Sequence, residues 1–188
     1  MASDSIIAVS ENATTIVELS LDAAGARERA AEITRWLLDT GVMVANTNRD
    51  ELWQPSEYRA GPNVRTATEL WSSDDAQLAN HGVDVVVERV LHHPSGNYEP
   101  PACPTCDTVV DEETHHRLVF AWLRGPEPLL RCDACGGEAL VGDWPVEWTF
   151  HVGELAVSFS NWPPLEDAFL ENLQTRLGPR TRVVLEHI

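Results

Sequence analysis

The chain has 188 residues, with 30 acidic side chains against 13 basic ones and a net charge of −17. Such a charge opposes phosphate backbones and anionic membrane surfaces, and either favours basic partners or simply maintains solubility. A hydrophobic content of 43% and seven tryptophans exclude a disordered chain and point to a packed core.

The length predicts one domain plus an insertion. Residues 1–12 read as a flexible polar leader, and 13–188 as a single α+β domain. No basic side chain precedes Arg27, so no secretory signal is expected. No apolar run is long enough to predict a membrane span. Thr15–Leu19 is the first predicted strand. Asp22 then caps a helix whose apolar stripe is Ala26, Ala30, Ile33 and Leu37, at offsets of three and four. Arg35 and Asp39 stand four apart on its outer face. Gly41 suits the left-handed position after the helix, and Val42-Met43-Val44 opens a second strand.

Residues 46–80 carry Pro55, Gly61-Pro62, Trp53 and Trp71 without sustained periodicity, so they read as a long connection with a short helix near Asp74–Ala79. Val83–Leu91 reads as one strand, with Val85-Val86-Val87 buried on both faces, broken at His92-His93-Pro94. Leu118–Leu123 and Leu129-Leu130, separated by Gly125-Pro126-Glu127-Pro128, suggest a pair of hairpin strands. Leu155–Phe159 is a further strand. Asn161-Trp162-Pro163-Pro164 turns the chain into a helix faced by Leu165, Phe169, Leu173 and Leu177, with Glu166 and Asp167 at its positive end. Gly178-Pro179 stops that helix, and Arg182–Leu185 is the last strand. Strand–helix–strand at both ends predicts a ferredoxin-like, split βαβ sheet with two helices on one face.

The chemistry lies in four cysteines. Cys103-Pro-Thr-Cys106 and Cys132-Asp-Ala-Cys135 are matched C-x2-C pairs, the spacing by which thiolates grip one tetrahedral zinc ion. The residue after each second cysteine must adopt a left-handed conformation. Gly136 suits this, and Asp107 tolerates it better than most residues. These residues resemble a zinc ribbon, two knuckles at the tips of facing hairpins. The resemblance covers about a fifth of the chain, residues 99–140, which would then be an insertion in the sheet domain. It implies one structural Zn2+ on Cys103, Cys106, Cys132 and Cys135, with no open coordination position. The gap of 25 residues between the pairs is longer than ribbons commonly have. A redox-active pair needs one C-x2-C between a strand and a helix start, and two Pro-flanked pairs fit that poorly. Disulfide pairing is the remaining alternative. Cysteines spent in metal-type pairs fit a reducing, cytoplasmic compartment.

Zinc ribbons often bind nucleic acid, but residues 99–140 set three arginines against eight carboxylates, which predicts no such binding. His92-His93 and His115-His116, read as strand neighbours, point to opposite faces and cannot chelate as pairs. His151 could meet Glu147 or Glu154, but a structural histidine is the simpler account. Asp111-Glu112-Glu113 reads as a solvated turn. Trp36 reads as core, while Trp144, Trp148 and Trp162 read as plates packed between the module and the sheet. No catalytic residue is assigned. The inserted knuckle pair followed by the Asn-Trp-Pro-Pro turn resembles bacterial chains to which no activity attaches. The expectation is a non-catalytic protein-binding module of the immunity, antitoxin or adaptor kind, acting on a partner with a basic surface. An enzyme with an unrecognised His/carboxylate site is the alternative.

Overall fold

The computed structural model describes residues 12–47, 56–72, 75, 81–144, 146 and 148–187. The leader, apart from Asn12, lies outside them, as do Trp53 and most of the helix expected near Asp74–Ala79.

The chain runs β1 (Asn12–Glu18), α1 (Ala23–Asp39), β2 (Met43–Ala45), β3 (Tyr58–Ala60), β4 (Gly82–Val86) and β5 (Val90–His92). It continues through α2 (Glu112–Arg124), β6 (Leu129–Arg131), β7 (Glu138–Leu140), β8 (His151–Gly153), β9 (Leu155–Ser160), α3 (Asp167–Leu177) and β10 (Thr181–His187). The fold is mixed α+β. Six strands form one antiparallel sheet in the order β10-β1-β9-β4-β3-β2, and β5-β8 and β6-β7 form two short antiparallel pairs.

Alternation along the strands sends successive side chains to opposite faces, and the sheet uses both. Ile16, Val83, Leu155, Val157 and Phe159 face one core with Ala26, Ala30, Ile33 and Leu37 of α1 and Phe169, Leu173 and Leu177 of α3. Val17, Ala156 and Val184 face a second core with Val119 and Trp122 of α2, Val152 of β8, and Cys103 and Cys132. Each fully buried Leu or Ile contributes about 1.5–3 kcal/mol of apolar transfer.

The helix borders follow local chemistry. Asp22 Oδ1 accepts from the amides of Ala24 and Gly25, and the chain leaves α1 through Gly41 at φ +72°. The ion pair found on the outer face of α1 is Arg29–Glu32 at 3.2 Å. Glu18 ends β1 fully buried. Its carboxylate accepts from the Ser20 and Leu21 amides at 2.8 and 2.7 Å and from the Ser20 hydroxyl, so the charge fixes the turn into α1. At Gly178, whose φ is +156°, a Cβ would stand 2.8 Å from Glu18 Oε1, so a side chain there would displace the buried carboxylate.

Two strand expectations are corrected. Leu118–Leu123 is helical, part of α2. Asp111 caps it by accepting from the Thr114 amide at 2.9 Å, and Glu112 and Glu113 occupy its first turn, so these acids start a helix and are not a solvated turn. The buried residues His115, Val119 and Trp122 recur at helical spacing, while Phe120 inside the apolar run is 47% exposed. Secondly, Val83–Leu91 is two strands. Val86 pairs with Ala156 and Val90 with Gly153, so Val87, Glu88 and Arg89 oppose only two residues. This bulge bends the β4/β9 ribbon, and its continuation β5/β8 lies over the second face. Val85 and Val86 are only partly buried, and Val87 is 41% exposed.

Arg89 at the bulge fixes the far end of α2. Its guanidinium donates to the carbonyls of Leu123, Trp122 and Gly125 at the C-terminal end of the helix, and its Nη1 meets Glu154 at 3.0 Å. A second staple ties β10 to the turn before β6. Arg180 binds Glu127 through both oxygens at 2.9 and 3.1 Å, and Asp143 joins Arg180 to Arg182.

Candidate metal centre

The four cysteines sit on two turns of the same design. In the first, the Cys103 amide donates to Thr108 O and the Asp107 amide to Cys103 O, both at 2.9 Å. In the second, the Cys132 amide donates to Gly137 O and the Gly136 amide to Cys132 O, both at 2.8 Å. The residues after the second cysteines are left-handed in both, Asp107 at φ +57° and Gly136 at φ +74°. A bridge between Ala102 and Val109 closes the first turn, and the β6/β7 pair carries the second. The expected pair of facing hairpins is thus corrected: only the second knuckle sits on a strand hairpin, and α2 fills most of the gap between them. A helix there explains the long spacing.

All four Sγ atoms lie within 4.8 Å of one another, the Cys103–Cys135 and Cys106–Cys132 pairs at 3.6 Å. A tetrahedral ion with metal–sulfur bonds of about 2.3 Å needs sulfurs about 3.8 Å apart, so the group fits one metal ion. Cys103 and Cys132 face the second core, and Cys106 and Cys135 face outward.

The sulfur electrostatics fit a cation too. The Thr108 hydroxyl and amide favour the Cys106 thiolate and bring its pKa down to about 6. At Cys135 the Gly137 amide favours the thiolate, but the neighbouring sulfurs of Cys106 and Cys103 outweigh it and push the thiol up to about 12. Crowded sulfurs cannot all ionise alone, and a divalent ion removes that conflict. The two turns pack closely at Gly137, where a Cβ would sit 3.3 Å from Thr105 Oγ1 of the first turn and 3.4 Å from Cys135 Sγ.

The other candidates are scattered differently from their reading in sequence. The histidine pairs split. His92 lies across from His151 in the β5/β8 pair, while His93 is exposed. His115 and His116 are on a helix, the first fully buried and the second partly so. Glu154, one carboxylate considered for His151, binds Arg89 instead; Glu147 lies outside the described residues. Of the tryptophans expected between module and sheet, Trp144 packs in the second core, but Trp162 packs in the first with Trp71 and Phe159. Trp148 is partly buried, and Trp36 stacks on Phe169 at 5.7 Å.

The staples Arg89–Glu154 and Arg180–Glu127–Asp143–Arg182 had no mark in the sequence, since single arginines carry no periodic signal. Among the described residues no helix is long and apolar enough to cross a membrane. Comparison with known protein families, with curated proteins and with solved structures returns no match. The four cysteines cluster as a zinc-binding knuckle pair would, and no family of known activity accompanies them.

Proposed function

We propose that this chain is a non-catalytic, acidic protein-binding module on a ferredoxin-like frame. One structural zinc ion on Cys103, Cys106, Cys132 and Cys135 fixes a layer inserted at about residues 99–140. The strand order β10-β1-β9-β4, with α1 leaving β1 and α3 joining β9 to β10, supports the frame. β2 and β3 then extend its edge.

The observation that carries the reading is the gathering of four protein sulfurs within 4.8 Å. Four thiolates complete zinc's coordination, so the ion would serve folding and leave no position for a reactant. The charge of −17 supports the second half, since a basic partner would be steered to this surface and held in a salt-dependent way. Of the eight carboxylates in the proposed insertion, only Glu127 is withdrawn from full exposure, into the staple with Arg180. The remaining seven are exposed, with Asp111 capping α2 and Glu138 4.0 Å from Arg131, and together they present an acidic surface to a partner of the toxin or adaptor-target kind.

The test is affinity capture from the native lysate at low and at high salt, with metal analysis of the bait. The reading expects one zinc per chain and a basic protein retained at low salt and released at high salt. Absence of any stoichiometric partner at low salt, or retention on DNA resin instead, contradicts it.

A further inference from the structure

We propose that His92, His115 and His151 form an acid-sensitive joint that fastens the cysteine-bearing layer to the sheet, and that proton uptake by this cluster opens the layer. His115 belongs to that layer, on α2, while His92 and His151 lie on β5 and β8, which continue β4 and β9 of the sheet. His92 and His151 are direct cross-strand partners in β5/β8, and His115 lies on the inward face of α2 with Val119 and Trp122. His115 is 0% and His151 3% exposed. Among the described residues, one buried nitrogen of each ring has no hydrogen-bond partner: Nε2 of His92, Nε2 of His115 and Nδ1 of His151.

Among the described residues only the cysteine sulfurs gather closely enough to share an ion, so a second metal site does not account for these rings. Buried imidazoles with idle nitrogens are instead held neutral by their surroundings. Burial brings His92 and His115 down to about 4, with their neighbours His93 and His116 adding to it. Burial brings His151 to about 3, with Arg182, His115, His92 and Arg180 acting the same way.

Among the described residues, the charges around the cluster do not offer it a counterion. From β10 comes Arg182 and from the residue before that strand Arg180, already engaged by Asp143 and Glu127. From α2 comes His116, whose Nε2 lies 3.8 Å from Glu112. Tyr98 bonds His115 Nδ1 at 2.9 Å, and Asp111 and Glu112 act on Tyr98, where burial and those acids raise the phenol to about 12. Phe150 closes the stack, its ring 4.5 Å from that of Tyr98.

The sign follows. Released histidines titrate at about 6.5, so the open layer binds protons that the closed layer refuses. Closure is therefore fully supported above that pH and weakens as the pH falls toward the folded values. Each site contributes about tenfold between pH 7.5 and 5.5, and three together about a thousandfold in the opening constant.

The experiment is hydrogen exchange on the metal-loaded full chain at pH 7.5, 6.5 and 5.5, corrected for intrinsic exchange rates. Cobalt(II) replaces zinc so that thiolate absorption reports metal retention separately. Amides of α2, β5 and β8 are expected to open about a thousandfold more at pH 5.5, before those of α1 and α3. His115→Phe, which keeps a ring on the Tyr98–Phe150 stack, is expected to cut the response to about a hundredfold. Should that variant not fold, ring titration of the three histidines by NMR in the wild type decides: protonation only together with opening supports the joint. Rings titrating near their ordinary value in the closed state overturn it. So do an unchanged opening constant, an equal response in the variant, or opening that only follows loss of the cobalt absorption.

Discussion

One face of the sheet is covered by two regular helices, and the other by a single helix, two short strand pairs and two knuckles. On the first face, α1 and α3 bring rows of Ala, Ile, Leu and Phe against Ile16, Val157 and Phe159, and repeated apolar contact suffices. On the second, the cover contains fewer regular apolar rows and relies on fixed points: the cysteine cluster, the Arg89 cap and the Arg180–Glu127 staple. The lesson is physical. A layer of loops and three-residue strands has little hydrogen-bonded length to order itself, so cross-links replace periodic packing.

Removing the metal should separate the two faces most sharply. Structural zinc in small modules supplies on the order of 10 kcal/mol, so Cys132→Ser or chelation is expected to abolish protection of α2, β6 and β7. Circular dichroism should retain the signal of α1 and α3. Trp122→Ala is next. Trp122 is 2% exposed in the second core, and its truncation should cost about 3–5 kcal/mol in denaturant unfolding and weaken metal affinity. Leu173→Ala, in the first core, should cost about 2–5 kcal/mol and leave metal affinity unchanged.

Smaller changes sharpen the same contrast. Arg180→Ala leaves Glu127, 10% exposed, without its bidentate partner, and should cost about 1–3 kcal/mol of stability. Lower protection should begin at β6 and the turn before it. The least effect is expected from the caps. Asp22→Ala and Asp111→Ala should each cost about 1 kcal/mol in thermal unfolding, and only Asp111→Ala should also loosen the metal.

The first face was legible in the sequence because its signals are periodic. The stripe Ala26, Ala30, Ile33, Leu37 and the row Phe169, Leu173, Leu177 are the buried residues of α1 and α3. The metal cluster was legible because C-x2-C spacing is a chemical constraint independent of the fold around it. The second face was not. Leu118–Leu123 is an unbroken apolar run, which suits a strand or a buried helix equally, and the deciding residues lay upstream in Asp111, Glu112 and Glu113. The bulge at Val87–Arg89 had no glycine to announce it, and its arginine serves carbonyls 33 to 36 residues away. The burial of His115 was also hidden, since a histidine looks the same in sequence on either side of a layer.

Peptide-resolved hydrogen exchange on the full chain, before and after metal is withdrawn at constant pH 7.5, tests the central claim most directly. The account predicts one metal per chain, with protection lost in α2, β6 and β7 on withdrawal and kept in α1, α3 and the six-stranded sheet. Protection unchanged everywhere, or lost uniformly across both faces, would contradict it.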